Sequence, residues 1–161
     1  MRLSEYVSRL RRMQPEIEAT LENSVRNAAM RAVEKATELT PPTSGSLTGT
    51  GTRTGELKQH WATDSQVNPQ RRGADLVATL ANNKSYASYV NDGHRMDRHF
   101  VPGLHVNPAS GLLEYTPGAN VGIVVGTKTS YVPGLHMSDE AKKEFERVLG
   151  IELRGLEDLF R

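Results

Sequence analysis

Apolar and small residues recur at steps of three and four through the first 39 residues, the pattern of an amphipathic helix. Pro15 interrupts this pattern, and proline is tolerated in the first turn of a helix but not in its interior. We therefore predict a short helix near 3–13 and a long one near 15–39. The Thr-Pro-Pro sequence at 40–42 ends the helical region, because the residue before a proline avoids the α conformation. A second apolar stripe predicts a C-terminal helix over 138–161.

The middle of the chain has a different pattern. Residues 43–55 are almost all Ser, Thr and Gly, which predicts a flexible loop. Strands are predicted at 74–81 and 86–90, and a further strand pair at 112–116 and 121–127. The expected fold is α+β in a single domain, 1–161: a long N-terminal helix and a C-terminal helix pack on a small, mostly antiparallel, twisted β-sheet with long loops. The β-rich part spans 74–137.

One heptapeptide occurs twice in the chain. Phe100–Val106 reads FVPGLHV, and Tyr131–Met137 reads YVPGLHM. Two copies are too few for a solenoid. We interpret the pair as a local duplication that brought in an extra hairpin, at about 106–131.

The composition excludes several classes of protein and several kinds of chemical site. The chain has 161 residues, 20 Lys+Arg, 19 Asp+Glu and a formal net charge of +1, which argues against a dedicated nucleic-acid binder. It has no cysteine, which excludes disulfides, thiolate-bound metals and thiol nucleophiles. No stretch approaches the ~20 apolar residues of a membrane span. The N-terminus lacks the apolar segment of a signal peptide, so we expect synthesis and retention in a cytoplasm.

Histidine and aspartate residues are concentrated between 92 and 105. His94, His99 and His105 are the candidate ligands of a metal there, but their spacing matches no standard zinc signature. A metal-dependent enzyme or nuclease using this cluster stays an alternative. So does a DNA-end or capsid-binding accessory module that uses the arginines at 9–12 and 71–72. No nucleophile elbow, P-loop or dinucleotide fingerprint is present, so we predict a non-enzymatic protein without a cofactor.

Three stretches, taken in order, resemble a known family. They are an Ala-rich helix leading into Thr40-Pro41, the segment TGELKQHW over 54–61, and YASYVNDGHR over 86–95 followed by Val101-Pro102-Gly103. Over about residues 25–160 the chain resembles the tail-component family of tailed bacteriophages called "HK ninety-seven gene product ten"-like. It departs from the family pattern at 43–53, which separates two normally adjacent motifs, and at 101–131, which has the character of an insertion.

The resemblance implies a structural virion protein at the neck, or top of the tail, acting in tail completion and head–tail joining. It implies a sixfold or twelvefold ring context, and as partners the chain itself, the tail terminator, the head connector or stopper, and tail-tube proteins. Packaged DNA would lie nearby without being bound sequence-specifically, and no membrane is implied. Synthesis would occur in the cytoplasm of a bacterial host. We expect loops 43–55 and 92–119 to become ordered on neighbouring subunits.

The interface and motif residues follow from the same stretches. Trp61 is either an interface anchor or a core residue, whereas Tyr86 and Tyr89 are expected in the core. Gly93 and Gly103 are either backbone hinges or ordinary turn glycines. The full set is Thr54, Gly55, Leu57, Trp61, Tyr86, Tyr89, Val90, Gly93, His94, Arg95, Pro102, Gly103, Pro133 and Gly134.

Overall fold

The computed structural model describes residues 3–42, 55–126 and 130–158. The helices are α1 (Leu3–Leu39), α2 (Glu56–Asp64), α3 (Ala87–Asp92) and α4 (Met137–Asp158). The strands are β1 (Gln66–Arg72), β2 (Asp75–Thr79), β3 (Gly93–Arg95), β4 (His99–Pro102), β5 (Leu104–Val106), β6 (Leu113–Tyr115), β7 (Gly122–Val125) and β8 (Tyr131–Pro133). The α+β class with long terminal helices and small antiparallel sheets is confirmed.

Helix α1 is the longest element of the described chain, and α4 packs along it. Met137 at the start of α4 lies against Thr40, just beyond the end of α1, and Asn27 Nδ2 donates to Glu152 Oε1 at 3.3 Å. The two helices are therefore antiparallel. The α1 face toward the core is rich in alanine because small side chains allow close helix packing. Its buried residues are Ser24, Val25, Ala28, Ala29, Ala32, Val33 and Ala36.

The predicted break at Pro15 is wrong. One helix of 37 residues runs through it. Pro15 removes one backbone donor, but it is exposed, so water can satisfy the carbonyl that loses its partner. The many strong helix formers on both sides of Pro15 favour continuing the helix.

Strands β1 and β2 form an antiparallel pair beside α1. Arg72 pairs with Asp75 across the turn, and the register shifts between Gln66 and Gln70. Strand β2 confirms the strand predicted at 74–81, whereas the sequence analysis did not predict β1. Arg26 Nε of α1 donates to Asn68 Oδ1 at 3.0 Å and ties this pair to the helix.

The strand predicted at 86–90 is wrong, because these residues belong to α3. The amide of Ala87 donates to Lys84 O at 2.9 Å, and that of Val90 to Tyr86 O at 3.2 Å. Ala87 and Val90, three apart, face the core. Residues 82–85, between the two predicted strands, instead lead into this helix.

The described residues between 93 and 133, which leave out 127–129, form a long antiparallel ribbon that we call the arm. Its three ladders are nested: β3 pairs with β8, β4 with β7, and β5 with β6. The tip is the turn at 107–112, where the amide of Asn107 donates to Leu112 O at 2.8 Å. The expectation that 112–116 pairs with 121–127 is wrong, since each segment pairs with an outgoing strand. The two heptapeptide copies therefore lie on opposite strands without pairing with each other.

The core lies where α1, α2, α3 and the start of α4 meet. Its buried members are Ala32, Val33, Ala36, Leu57, Trp61, Ala87, Met137 and Ala141. Of the loop predicted at 43–55, only Gly55 lies within the described residues; residues 159–161 of the predicted C-terminal helix lie outside them.

Candidate assembly surface

A buried hydroxyl connects the first two motifs of the sequence. Trp61 Nε1 donates to Thr40 Oγ1 at 2.8 Å, and Thr40 Oγ1 lies 2.6 Å from Ala36 O. Thr40 is fully buried and Trp61 is 5% exposed. Trp61 is thus a core residue and not an anchor on a free surface. Leu57 is also buried, and its carbonyl accepts from Asn82 Nδ2 at 2.7 Å.

Charges on α2 fix the segment that leads into α3. Asp64 Oδ2 accepts from the amide of Asn83 and lies beside His60 Nδ1, each at 2.8 Å. These hydrogen bonds, the backbone one first, hold the pKa of the Asp64 carboxyl below its usual range. Lys84 Nζ donates to Glu56 Oε2 at 2.7 Å, which lowers the pKa of Glu56 and raises that of Lys84. These charged groups therefore hold the segment in place.

Two predicted motif residues precede α2. Gly55 has φ +71°, and Thr54 lies outside the described residues.

The tyrosines of the third motif face solvent. Tyr86 is 42% exposed and Tyr89 is 57% exposed, so the expectation that they belong to the core is wrong. On helix α3 the core side is occupied by Ala87 and Val90, which leaves positions 86 and 89 on the outer side. Tyr89 makes an edge-to-face contact with the His94 ring, with centroids 5.6 Å apart. The motif therefore presents an aromatic pair at the base of the arm.

The base of the arm is a close crossing of two chain segments. Gly93 has φ +81°, and a Cβ there would lie 2.6 Å from Gly134 N and from Val132 O. Pro133 faces Gly93 in the ladder, and Arg95, which is exposed, faces Tyr131. A side chain at position 93 would push the crossing segments apart, and so would one at position 134, where a Cβ would meet the backbone of residues 91–93. Gly93 and Gly134 are therefore both required.

Hydrogen bonds from α3 hold the return strand in place. Leu135 N donates to Val90 O at 3.0 Å, and His136 N donates to Asn91 O at 2.9 Å. Ser138 N donates to Asn91 Oδ1 at 2.9 Å. The arm is therefore attached at its base, mainly through main-chain hydrogen bonds, to the rest of the described chain, which we call the body.

Halfway along the arm, Gly103 makes a second bend. Its φ is +81°, and a Cβ there would lie 2.5 Å from Thr116 O. Gly103 N donates to Val121 O at 2.6 Å, while Pro102 pairs with Gly122. The left-handed backbone and the close approach are enough to require glycine here, whether or not the position also acts as a hinge.

The three candidate histidines are not brought to one point. Nδ1 of each ring lies near a local backbone carbonyl: His94 near Tyr89 O at 3.4 Å, His99 near Asp97 O at 2.7 Å, and His105 near Gly103 O at 3.3 Å. Within the described ranges, no group of three or more His, Asp or Glu side chains could hold a metal ion.

The two arginine groups of the DNA-binding alternative lie in different settings. Arg71 Nη2 lies 3.7 Å from a carboxylate oxygen of Glu18 and 3.8 Å from one of Glu22. Acidic side chains of α1 thus compete with any phosphate for this arginine. The arginines at 9, 11 and 12 are exposed on the N-terminal third of α1.

The arm exposes large apolar side chains that the sequence analysis did not single out. Near the tip, Leu113 is 54% exposed and Tyr115 is 63% exposed. Other exposed members are Phe100, Val106, Leu112, Val121, Val124 and Tyr131. The adjacent leucines at 112–113, surrounded by turn residues, were the available signal, because a surface turn has no local reason to contain them.

The body has an open apolar cleft between α1, β2 and α4, with a volume of about 170 Å³. Its lining consists of Ala29, Ala32, Val33, Ala78, Thr79, Leu80, Ala141, Lys142 and Phe145. Lysine 142 is its one charged lining residue. The cleft and the arm are the features of the described surface best suited to contact another protein.

In the parts of the chain that the structure describes, no helix is long and apolar enough to cross a membrane.

Comparison with known proteins gives one family match. The model of the HK97-gp10-like family, described as a bacteriophage HK97-gp10 tail-component, matches residues 4–93. The match begins nearer the N-terminus than the resemblance expected over 25–160, and it ends at Gly93, where the arm begins. No curated protein and no solved structure matches the chain.

Proposed function

Because this chain belongs to the HK97-gp10-like family of bacteriophage tail components, we propose that it acts at the neck of the virion in tail completion and head–tail joining. The family match carries this proposal, since it covers α1 through α3 and identifies a structural component of the phage tail. The virion is accordingly where the protein acts.

The architecture supports a role performed by contact. A buried core fixes the body, while the arm extends from it with exposed apolar side chains. The described charged groups with shifted pKa values lie in hydrogen-bonded pairs that involve α2 or α4. Such a molecule is suited to fitting between other proteins.

The proposed partners are further copies of the chain in a sixfold or twelvefold ring, together with the tail terminator, the head connector or stopper, and tail-tube proteins. Cyclic rings close through heterologous contacts, in which two different surfaces of one subunit meet. DNA passing through the neck would be near the ring without being read, in keeping with a net charge of only +1.

Gold labelling of intact virions tests the location. A peptide tag is fused after Arg161, and phage particles carrying the tagged protein are labelled and imaged by electron microscopy, with untagged particles as the control. We expect gold at the junction of head and tail. Label along the tail shaft or at its far tip, or the absence of the protein from purified particles, would contradict the neck assignment.

A further inference from the structure

The arm leaves large apolar side chains open to solvent. A two-stranded ribbon cannot cover its own faces and is marginally stable alone in water. Phe100, Leu113 and Tyr115 are each more than half exposed, so a partner that covered them would stabilise the arm.

The tip of the arm combines apolar side chains with one negative charge. Leu112 and Leu113 are exposed. Glu114 is the only acidic residue between Asp97 and Asp139. Because successive strand side chains alternate between faces, Glu114 projects away from the face that holds Leu113.

The cleft on the body has the opposite combination. Its walls are mainly alanine, valine, leucine and phenylalanine side chains, and Lys142 lines it as its only charge. Among the described residues no carboxylate forms an ion pair with Lys142. The volume of about 170 Å³ is close to that of the ~150 Å³ apolar cavity that holds benzene, so the cleft can accept a leucine side chain.

We propose that the arm tip of one copy inserts into the cleft between α1, β2 and α4 of a second copy, with Leu112 in the cleft and Glu114, two residues along on the same face, beside Lys142 at its rim. This inference rests on the proposed function and names the contact that builds its ring. A second copy is the occupant because each chain carries both surfaces: an apolar arm tip with a negative charge, and an apolar cleft with a positive charge. The two halves are different surfaces, so the contact is head-to-tail and can close a ring.

Engineered cysteines test the contact, and the absence of native cysteine makes the result clear. The variant carries Leu112→Cys at the tip and Ala78→Cys in the cleft. The control pairs Leu112→Cys with Ala62→Cys, since Ala62 is an exposed alanine on α2 outside the cleft. Each protein is supplied to a phage lacking its own copy, and oxidised particles are run on a denaturing gel without reductant.

We expect a ladder of multiples of 17.8 kDa that extends beyond the dimer for the cleft variant, and monomer for the control. Monomer alone in the cleft variant, a band that stops at the dimer, or an equal ladder in the control would overturn the proposal. If gold labelling places the chain at the neck and no ladder forms, the proposed function stands and this contact is wrong.

A charge exchange provides a second test that depends on no cross-link. Glu114→Lys and Lys142→Glu each place like charges at the proposed contact, and the double variant restores an opposite pair. We expect each single variant to lower the yield of infectious particles at least tenfold, and the double variant to recover most of that loss. Glu16→Lys, an equal charge change at an exposed position of α1 away from the cleft, serves as the control and should leave the yield unchanged. Single variants that match the wild type, or a double variant no better than either, would overturn the proposal.

Discussion

Replacing Thr40 with valine removes one buried hydroxyl while keeping nearly the same side-chain shape. The hydroxyl accepts the indole N–H of Trp61 at 2.8 Å and lies 2.6 Å from Ala36 O. Thr40 is fully buried and Trp61 nearly so. In the variant the indole N–H has lost its acceptor in a place with little access to water.

The cost follows from that unsatisfied donor. A buried polar group without a partner destabilises a protein by about 1–3 kcal/mol. For a chain of this length, each kcal/mol lowers the melting temperature by roughly 2–4 °C. We therefore expect Thr40→Val to lower the free energy of unfolding by about 1–3 kcal/mol and the melting temperature by about 2–12 °C.

Urea unfolding followed by tryptophan fluorescence measures this change at the site itself, because Trp61 is the only tryptophan. Thr20→Val is the matched control. Thr20 Oγ1 donates to Glu16 O at 2.8 Å, with the same four-residue spacing as Thr40 and Ala36, but in an exposed bond within α1. We expect the control to change stability by less than about 0.5 kcal/mol. Equal stabilities of Thr40→Val and the control would refute the role assigned to the hydroxyl.

Three further predictions concern the arm and the charges on α2. Gly93→Ala should lower the melting temperature more than Gly73→Ala, because both have positive φ but only at 93 would the new Cβ meet backbone, 2.6 Å away; equal losses by calorimetry would contradict the crossing. Asp64 has a lowered pKa when folded, so its stabilisation is present above its ordinary pKa of 3.8 and is lost as pH falls through the folded value. Urea midpoints between pH 2 and 6 should therefore fall more steeply for the wild type than for Asp64→Asn, and parallel curves would count against this. Replacing residues 96–130 with Asn-Gly, a two-residue hairpin turn, should leave the body folded, with near-native helical circular dichroism, since the buried core lies outside the arm; loss of the helical signal would show that the arm holds the core together.

The two long terminal helices could be predicted from the sequence because their apolar periodicity extends over many turns, and with them the fold class. Helix α4 was predicted to within one residue of its start, and α1 was predicted apart from the break at Pro15. Proline weakens a helix interior wherever it stands, but α1 is exposed at Pro15, so water can satisfy the carbonyl that loses its donor. The break was wrongly predicted because the local sequence does not show that the packing of the rest of α1 outweighs this cost.

The predictions of short helices and strands were wrong where packing against the core overrides the local sequence preference. The aromatic and β-branched residues of 86–90 favour a strand, yet the segment is helical because Ala87 and Val90 then reach the core together. The spacing of three between Tyr86 and Tyr89 was the available signal of a helix. Strand β1 has the sequence QVNPQRR, whose polar residues give no strand pattern.

Strand pairing in the arm could not be predicted for a different reason. The strands at 112–116 and 121–127 were expected to pair with each other, but the chain reverses at 107–112. Pairing depends on which segments meet across the ribbon, and Gly103 and Gly126 bend the strands without ending the arm. The division of the motif residues into a buried part and an exposed part required the structure.

The central claim, that this protein joins head to tail, is tested most directly by electron microscopy of a lysate from a phage that lacks its gene. The same phage supplied with the intact chain serves as the control. We expect DNA-filled heads and finished tails lying unjoined, or tails with abnormal ends, and joined particles once the chain is supplied. Normal, infectious particles in the absence of the gene would contradict it.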